Sequence, residues 1–145
     1  MTNRIVSACP QGRRPEPLRR STFRFPARSE CVRDARGWLD RRMTVAGVPG
    51  DASATALLLL SELATNCVVH QRAGSIVARA HLCVGALRVE VRDNSGRMPE
   101  LRALSPDLDA ESGRGLLLVD ALAARWGRFE SNRGPGLFFA LIWAR

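Results

Sequence analysis

Lysine is absent from this chain, and all 22 of its basic residues are arginine. So complete an absence reflects a coding bias across a genome rather than selection at single sites, and it excludes no function. Cysteine occurs four times, as Cys9, Cys31, Cys67 and Cys83, never in a CxxC pair, and histidine occurs only as His70 and His81. That pattern argues against a zinc site. Cys67 and Cys83 fall in stretches that read as core helix and strand, so reduced, buried thiols are expected. No apolar run is expected to approach the ~20 residues of a bilayer span. The N-terminus, MTNRIVSACPQGRRPEPLRR, lacks the continuous apolar segment of a secretory signal. A soluble cytoplasmic protein with no membrane partner is therefore expected. No zinc-finger spacing or RNA-binding aromatic signature accompanies the arginines, so nucleic acid ranks last among the partners considered.

What is present suffices for one domain with a proper core: 145 residues, 46% of them hydrophobic. The formal charge is +8, and eleven of the arginines lie in the first 42 residues. Such a concentration suits an acidic partner, and equally a solubilising arm beside a solvated helix face. Residues 1–20 combine three prolines with clustered arginines and few apolar residues, which predicts a disordered arm ahead of a domain spanning 21–145.

Within that domain residues 21–25 alternate and read as a short edge strand, stopped by Pro26. Ser29 can cap a helix to about Thr44, with Val32, Ala35, Leu39 and Met43 as its buried stripe. Gly47, Pro49 and Gly50 turn the chain into a second helix over 54–70, ATALLLLSELATNCVVH, entered through Asp51 or Ser53. Residues 75–84 and 87–93 alternate as a hairpin reversing at Gly85–Ala86. Periodicity then vanishes over 94–112, a loop long enough to be functional. A helix resumes at Gly115, and 125–130 with 137–143 form a final hairpin. The order predicts an α+β fold: a two-layer sandwich with helices on one face of a mostly antiparallel mixed sheet.

Three polar or glycine-rich islands interrupt this apolar chain. Glu62 and Asn66 are four apart on the second helix and so share a face, as a narrow solvated stripe also would. On a helix otherwise apolar, a carboxylate and an amide are expensive to desolvate unless something polar binds beside them. Asp93-Asn94-Ser95-Gly96 is good turn chemistry, but an acid at a strand end beside small residues also suits a planar base. Gly113-Arg114-Gly115 at a helix start leaves amides open to a phosphate, with the arginine as a fork of donors.

Together, SELATNCVVH, VEVRDNSGRMP and SGRGLLLVDALAARWG resemble the three nucleotide-binding boxes of the Bergerat-fold (GHKL) ATPases. Within that superfamily the sequence is most similar to the short anti-sigma-factor serine kinases and their ATP-binding relatives of actinobacterial type. The resemblance covers about residues 21–145. It implies ATP and Mg²⁺ as cofactors, with Asn66 holding the metal and Glu62 as the general base. It further implies that Asp93 accepts from the adenine amino group, that Gly96 makes room for the base, and that residues 97–112 form a lid. Gly113 and Gly115 would cradle phosphates and Arg114 would meet the γ-phosphate. The implied activity is serine/threonine phosphorylation of an anti-anti-sigma-like partner, with a sigma factor as a further partner and a homodimer as the assembly. The alternative is a nucleotide-gated binding module with little or no kinase activity. His70 is read as a helix-end packing residue. Two departures stand out: the second box has Ser95 where glycine is usual, and the last hairpin reads Gly134-Pro135-Gly136 in place of a threonine-bearing motif.

Overall fold

The computed structural model describes residues 19–71, 74–94 and 111–143. Strand β1 (Arg19–Pro26) leads through a 3₁₀ turn (Ser29–Cys31) into α1 (Val32–Ala46), and α2 (Gly50–Gln71) follows. Strands β2 (Ser75–Cys83) and β3 (Ala86–Asp93), helix α3 (Glu111–Leu122), and strands β4 (Arg125–Phe129) and β5 (Gly136–Ile142) complete the chain. The strands form one sheet in the order β1-β2-β3-β5-β4, and each of the four described pairings is antiparallel. The α+β class and the two layers are as expected; the sheet is antiparallel throughout these pairings rather than mixed.

Helix α1 buries Val32, Ala35, Leu39 and Met43, as its periodicity demands, and also Trp38. The Trp38 ring stacks on Phe23 at 5.6 Å, and its indole N–H donates to Ser21 Oγ at 3.0 Å, tying α1 to the edge strand. Gly47 closes the helix with φ +71°. Its amide donates to the Thr44 carbonyl and that of Val48 to Met43, so the last carbonyls are satisfied.

Helix α2 starts four residues before the expected position, because the Ser53 amide already donates to the Pro49 carbonyl. Asp51 and Ser53 therefore lie inside the first turn instead of capping it, and Asp51 accepts from the Ala52 amide at 2.9 Å. The added turn overturns one expectation: the 20 residues of Gly50–Val69 have the length and apolarity of a bilayer span. In this fold the same apolarity is used internally. Ala56, Leu59, Leu60, Leu63, Ala64 and Cys67 are fully buried, and α2 packs against α1, α3, β3 and β5. Each buried leucine contributes about 1.5–3 kcal/mol.

The helices cover the sheet face bearing Phe25, Ile76, Ala78, Val89, Leu137 and Phe139. The β2–β3 reversal falls at Val84–Gly85, one residue earlier than expected, with Gly85 at φ +78°. Cys67 is a free, buried thiol as expected, whereas Cys83, half-buried, is disulfide-bonded. Helix α3 ends at Leu122 because the next residues pair with β5. Trp126 donates to Asp120 at 2.8 Å and fastens that strand to the helix.

Gly136 pairs with Phe129, and a Cβ there would sit 2.6 Å from both the Phe129 ring and the Val91 carbonyl oxygen. The backbone carbonyl cannot give way without disturbing β3. Gly136→Ala is thus expected to destabilise the protein by about 1–3 kcal/mol through overpacking, read from the midpoint of urea unfolding. Unchanged stability would mean that the β4–β5 hairpin is looser than this packing.

Candidate functional site

Glu62 and Asn66 lie on α2 at i and i+4, separated along the axis by about 6 Å at 1.5 Å per residue. Asn66 is 3% exposed, and neither Nδ2 nor Oδ1 of its amide has a hydrogen-bond partner among the described residues. Leaving a buried donor or acceptor unpaired costs roughly 1–3 kcal/mol. An alanine or leucine at 66 would continue the surrounding core of Leu59, Leu63 and Cys67 without that penalty. The narrow solvated stripe that the spacing also allowed does not describe a side chain this enclosed. A buried amide of this kind calls for an explanation, and a polar ligand is one.

Asp93 is the last residue of β3 and is 5% exposed. It pairs with Ile76, a core residue, so its side chain is on the helix-covered face of the sheet. The Cys67 thiol reports its proximity: burial first, and then the negative charge of Asp93, push that thiol up to about 12. Cys67 follows Asn66 directly on α2, so the helix turn that carries the amide is within electrostatic reach of the acid on β3. Asn94 accepts from the Ser75 amide at 3.4 Å, a fastening between β3 and the start of β2. Glu62 is half-buried, and desolvation raises its carboxyl above the usual range.

Gly113, Arg114 and Gly115 occupy the first turns of α3, which begins at Glu111 rather than after Gly115. The open amides of a helix are those of its first four residues, here 111–114. Gly113 and Arg114 remain among them, and Gly115 stands one position further in. Helix α3 packs against α2, the helix that bears Glu62 and Asn66. Gly96 and nearly all of the expected lid, 97–110, lie outside the described residues.

The segment over residues 25–137 matches the histidine kinase-like ATPase domain. The chain belongs to that family. A Streptomyces coelicolor protein, the uncharacterized SCO4941, is 39% identical over 70 residues, which is 47% of this chain and 67% of that protein. As a histidine kinase-like ATPase domain, the protein binds ATP in a regulatory, ATPase-like role. All seven residues singled out in the sequence fall inside the matched segment.

The donor set suits a nucleotide-borne metal. Among the described residues there is no group of three His, Cys, Asp or Glu able to hold an ion by itself. A hard cation with one amide oxygen, triphosphate oxygens and water is the pattern expected of Mg²⁺, and the buried Asn66 Oδ1 offers that oxygen. Sequence reasoning did not anticipate the influence of Asp93 on Cys67, nor the steric demand at Gly136. The first arises between elements far apart in the chain, and the second from a ring on the neighbouring strand.

Proposed function

We propose that this ATPase domain is a cytoplasmic, Mg²⁺-dependent serine/threonine kinase of the anti-sigma-factor type, acting on a small anti-anti-sigma-like protein. The buried Asn66 amide, without a hydrogen-bond partner among the described residues and next in sequence to a thiol that senses the charge of Asp93, is the observation that carries this reading. Asp93 would receive the adenine amino group, Asn66 would hold Mg²⁺ through Oδ1, and Gly113, Arg114 and Gly115 would meet the phosphates. A metal held there would neutralise charge developing on the transferred phosphoryl group. Glu62 is one turn from Asn66, near enough along the helix to take the proton of an incoming hydroxyl. Its raised carboxyl brings it closer to the neutral range in which a base works well. Sequestration of a sigma factor and a homodimeric state complete the proposal.

Glu62→Gln is expected to keep ATP affinity and lower phosphate transfer to a serine-bearing partner by about 10²–10⁴-fold, the usual range for losing a general base. The same variant has a pH signature in the nucleotide-free protein. A carboxyl raised by burial favours its neutral form, so its contribution is complete below the ordinary carboxylate range and is lost as pH rises through the raised value. At pH 7 the ionised Glu62 therefore weakens the fold, and Glu62→Gln should be the more stable protein, without the decline that Glu62 produces between the ordinary and the raised carboxyl range. Thermal melting between pH 4 and pH 8 reads this directly.

A second reading has its own observation. The hairpin that usually presents a hydroxyl to the nucleotide reads Gly134-Pro135-Gly136, and the space at Gly136 is filled by Phe129 and the Val91 carbonyl. Nucleotide held without that support suits a module whose partner surface is gated by ATP. Equal and negligible transfer by wild type and Glu62→Gln, with ATP-dependent partner binding intact, selects this reading.

A further inference from the structure

The sheet face turned away from the helices carries charge of nearly one sign. The register places Arg79 opposite Glu90, and Val77 opposite both Arg24 and Arg92, on this face. The turn after β4 brings Ser131, Asn132 and Arg133 over the same area, enclosing a pocket of about 190 Å³ with Arg79, Arg92 and Phe129 in its lining. Glu90 also lines it, but that carboxylate is engaged: Arg88 Nε is 3.0 Å from one oxygen and His81 Nε2 is 3.6 Å from the other. Burial alone would raise the Glu90 carboxyl; the His81 and Arg88 contacts outweigh it and hold it below the usual range. Glu90 thus remains an anion already matched by its own neighbours. Arg88 in turn is buried with its guanidinium 4.0 Å from the Phe138 ring centre.

No carboxylate among the described residues lies within ion-pairing distance of Arg24, Arg79, Arg92 or Arg133. Guanidinium groups near one another repel, and the charge of Asp93 offsets this at Arg92 only in part. Arg92 registers this, its basicity reduced by burial and then by Arg133, Arg79 and Arg24. Arginines gathered around a pocket whose one acid, Glu90, is already engaged by Arg88 and His81 form a receptor for an anion with several oxygens, and Ser131 and Asn132 add neutral donors. The volume falls below the roughly 300–1,000 Å³ of pockets that enclose drug-sized ligands, which suits one or two phosphoryl groups rather than a whole nucleotide. A second copy of the same face is disfavoured, because it would set arginine against arginine.

We infer that the pocket bounded by Arg79, Arg92 and Arg133 is a second anion site, binding a small phosphate or diphosphate group on the side of the sheet opposite the ATP site. The inference rests on the open sheet face and does not depend on the kinase reading. It is tested by calorimetric titration of the full chain with inorganic pyrophosphate at low and high salt. Saturable binding that weakens with salt is expected in the wild type and in Asn66→Ala. In Arg92→Gln/Arg133→Gln the affinity should fall at least ~10-fold, as loss of charge-assisted hydrogen bonds implies. Arg133 is exposed and outside the core, so Arg133→Gln alone should keep the fold and give a smaller loss. Arg128→Gln, also exposed, should leave binding unchanged. The inference fails if pyrophosphate does not bind, if binding disappears in Asn66→Ala, or if the double variant binds as wild type does. It also fails if a DNA duplex binds through these arginines while pyrophosphate does not, which would make the face a nucleic-acid surface.

Discussion

Asn66→Ala is expected to make the nucleotide-free protein more stable and, in the same molecule, to remove most of its Mg·ATP binding. The two effects have one cause. Asn66 is buried at 3% exposure, and among the described residues neither end of its amide has a hydrogen-bond partner. Removing those groups relieves roughly 1–3 kcal/mol per unsatisfied group, and alanine is also the better helix former by about 0.6 kcal/mol. The small cavity left behind offsets part of this. A net gain of about 1 kcal/mol corresponds to a melting point some 3–6 °C higher for a domain of this size. Against that, losing an oxygen that directly holds the metal should weaken Mg-dependent ATP affinity by at least ~10–100-fold, the loss typical of removing even an indirect supporter of a metal ligand. Thermal melting without nucleotide, and titration with ATP in the presence and absence of Mg²⁺, measure the two effects separately. An Asn66→Ala protein that melts lower and still binds Mg·ATP would show that the amide serves the core after all.

Asp93→Asn should lower ATP affinity by about 10–150-fold, the equivalent of the ~1.5–3 kcal/mol of a hydrogen bond to a charged group. An amide can offer either an oxygen or an N–H₂ group, so affinity for GTP should fall less than affinity for ATP and purine discrimination should narrow. The variant carries an internal check that needs no nucleotide. Burial is the main reason the Cys67 thiol is pushed up to about 12, and the charge of Asp93 is the second. Neutralising that charge should bring the thiol down while burial still holds it above the ordinary thiol range. Alkylation rates followed against pH in the two proteins read the difference. A lowered thiol with unchanged ATP affinity would separate Asp93 from the nucleotide while leaving its position beside Cys67 intact.

Much of the architecture was legible because it depends on local pattern. The stripe of Val32, Ala35, Leu39 and Met43 identifies the buried side of α1, and alternation along 75–84 and 87–93 identifies a hairpin, though none of the residues in its two strands is fully exposed. Spacing also put Glu62 and Asn66 on one side of a helix, and turn chemistry marked the strand end at Asp93. Boundaries were less legible, since they turn on single hydrogen bonds. One bond from the Ser53 amide to the Pro49 carbonyl begins α2 early, and the run from Glu111 begins α3 before its glycines. Cys83 reads as a reduced core thiol from its alternating neighbours, yet it is disulfide-bonded, because alternation marks which side chains face inward and carries no signal of thiol pairing.

By itself, then, the order of residues determined the succession of helices and strands, their apolar sides and the three polar islands, since these follow from periodicities of two and 3.6 along the chain. Tertiary structure alone decided what those islands meet. It buries the Asn66 amide without a hydrogen-bond partner among the described residues, brings Asp93 to within electrostatic reach of Cys67, and gathers Arg79, Arg92 and Arg133 around one pocket. Desolvation and charge proximity depend on separations through space between residues tens of positions apart, and only the folded sheet and its helices set those separations.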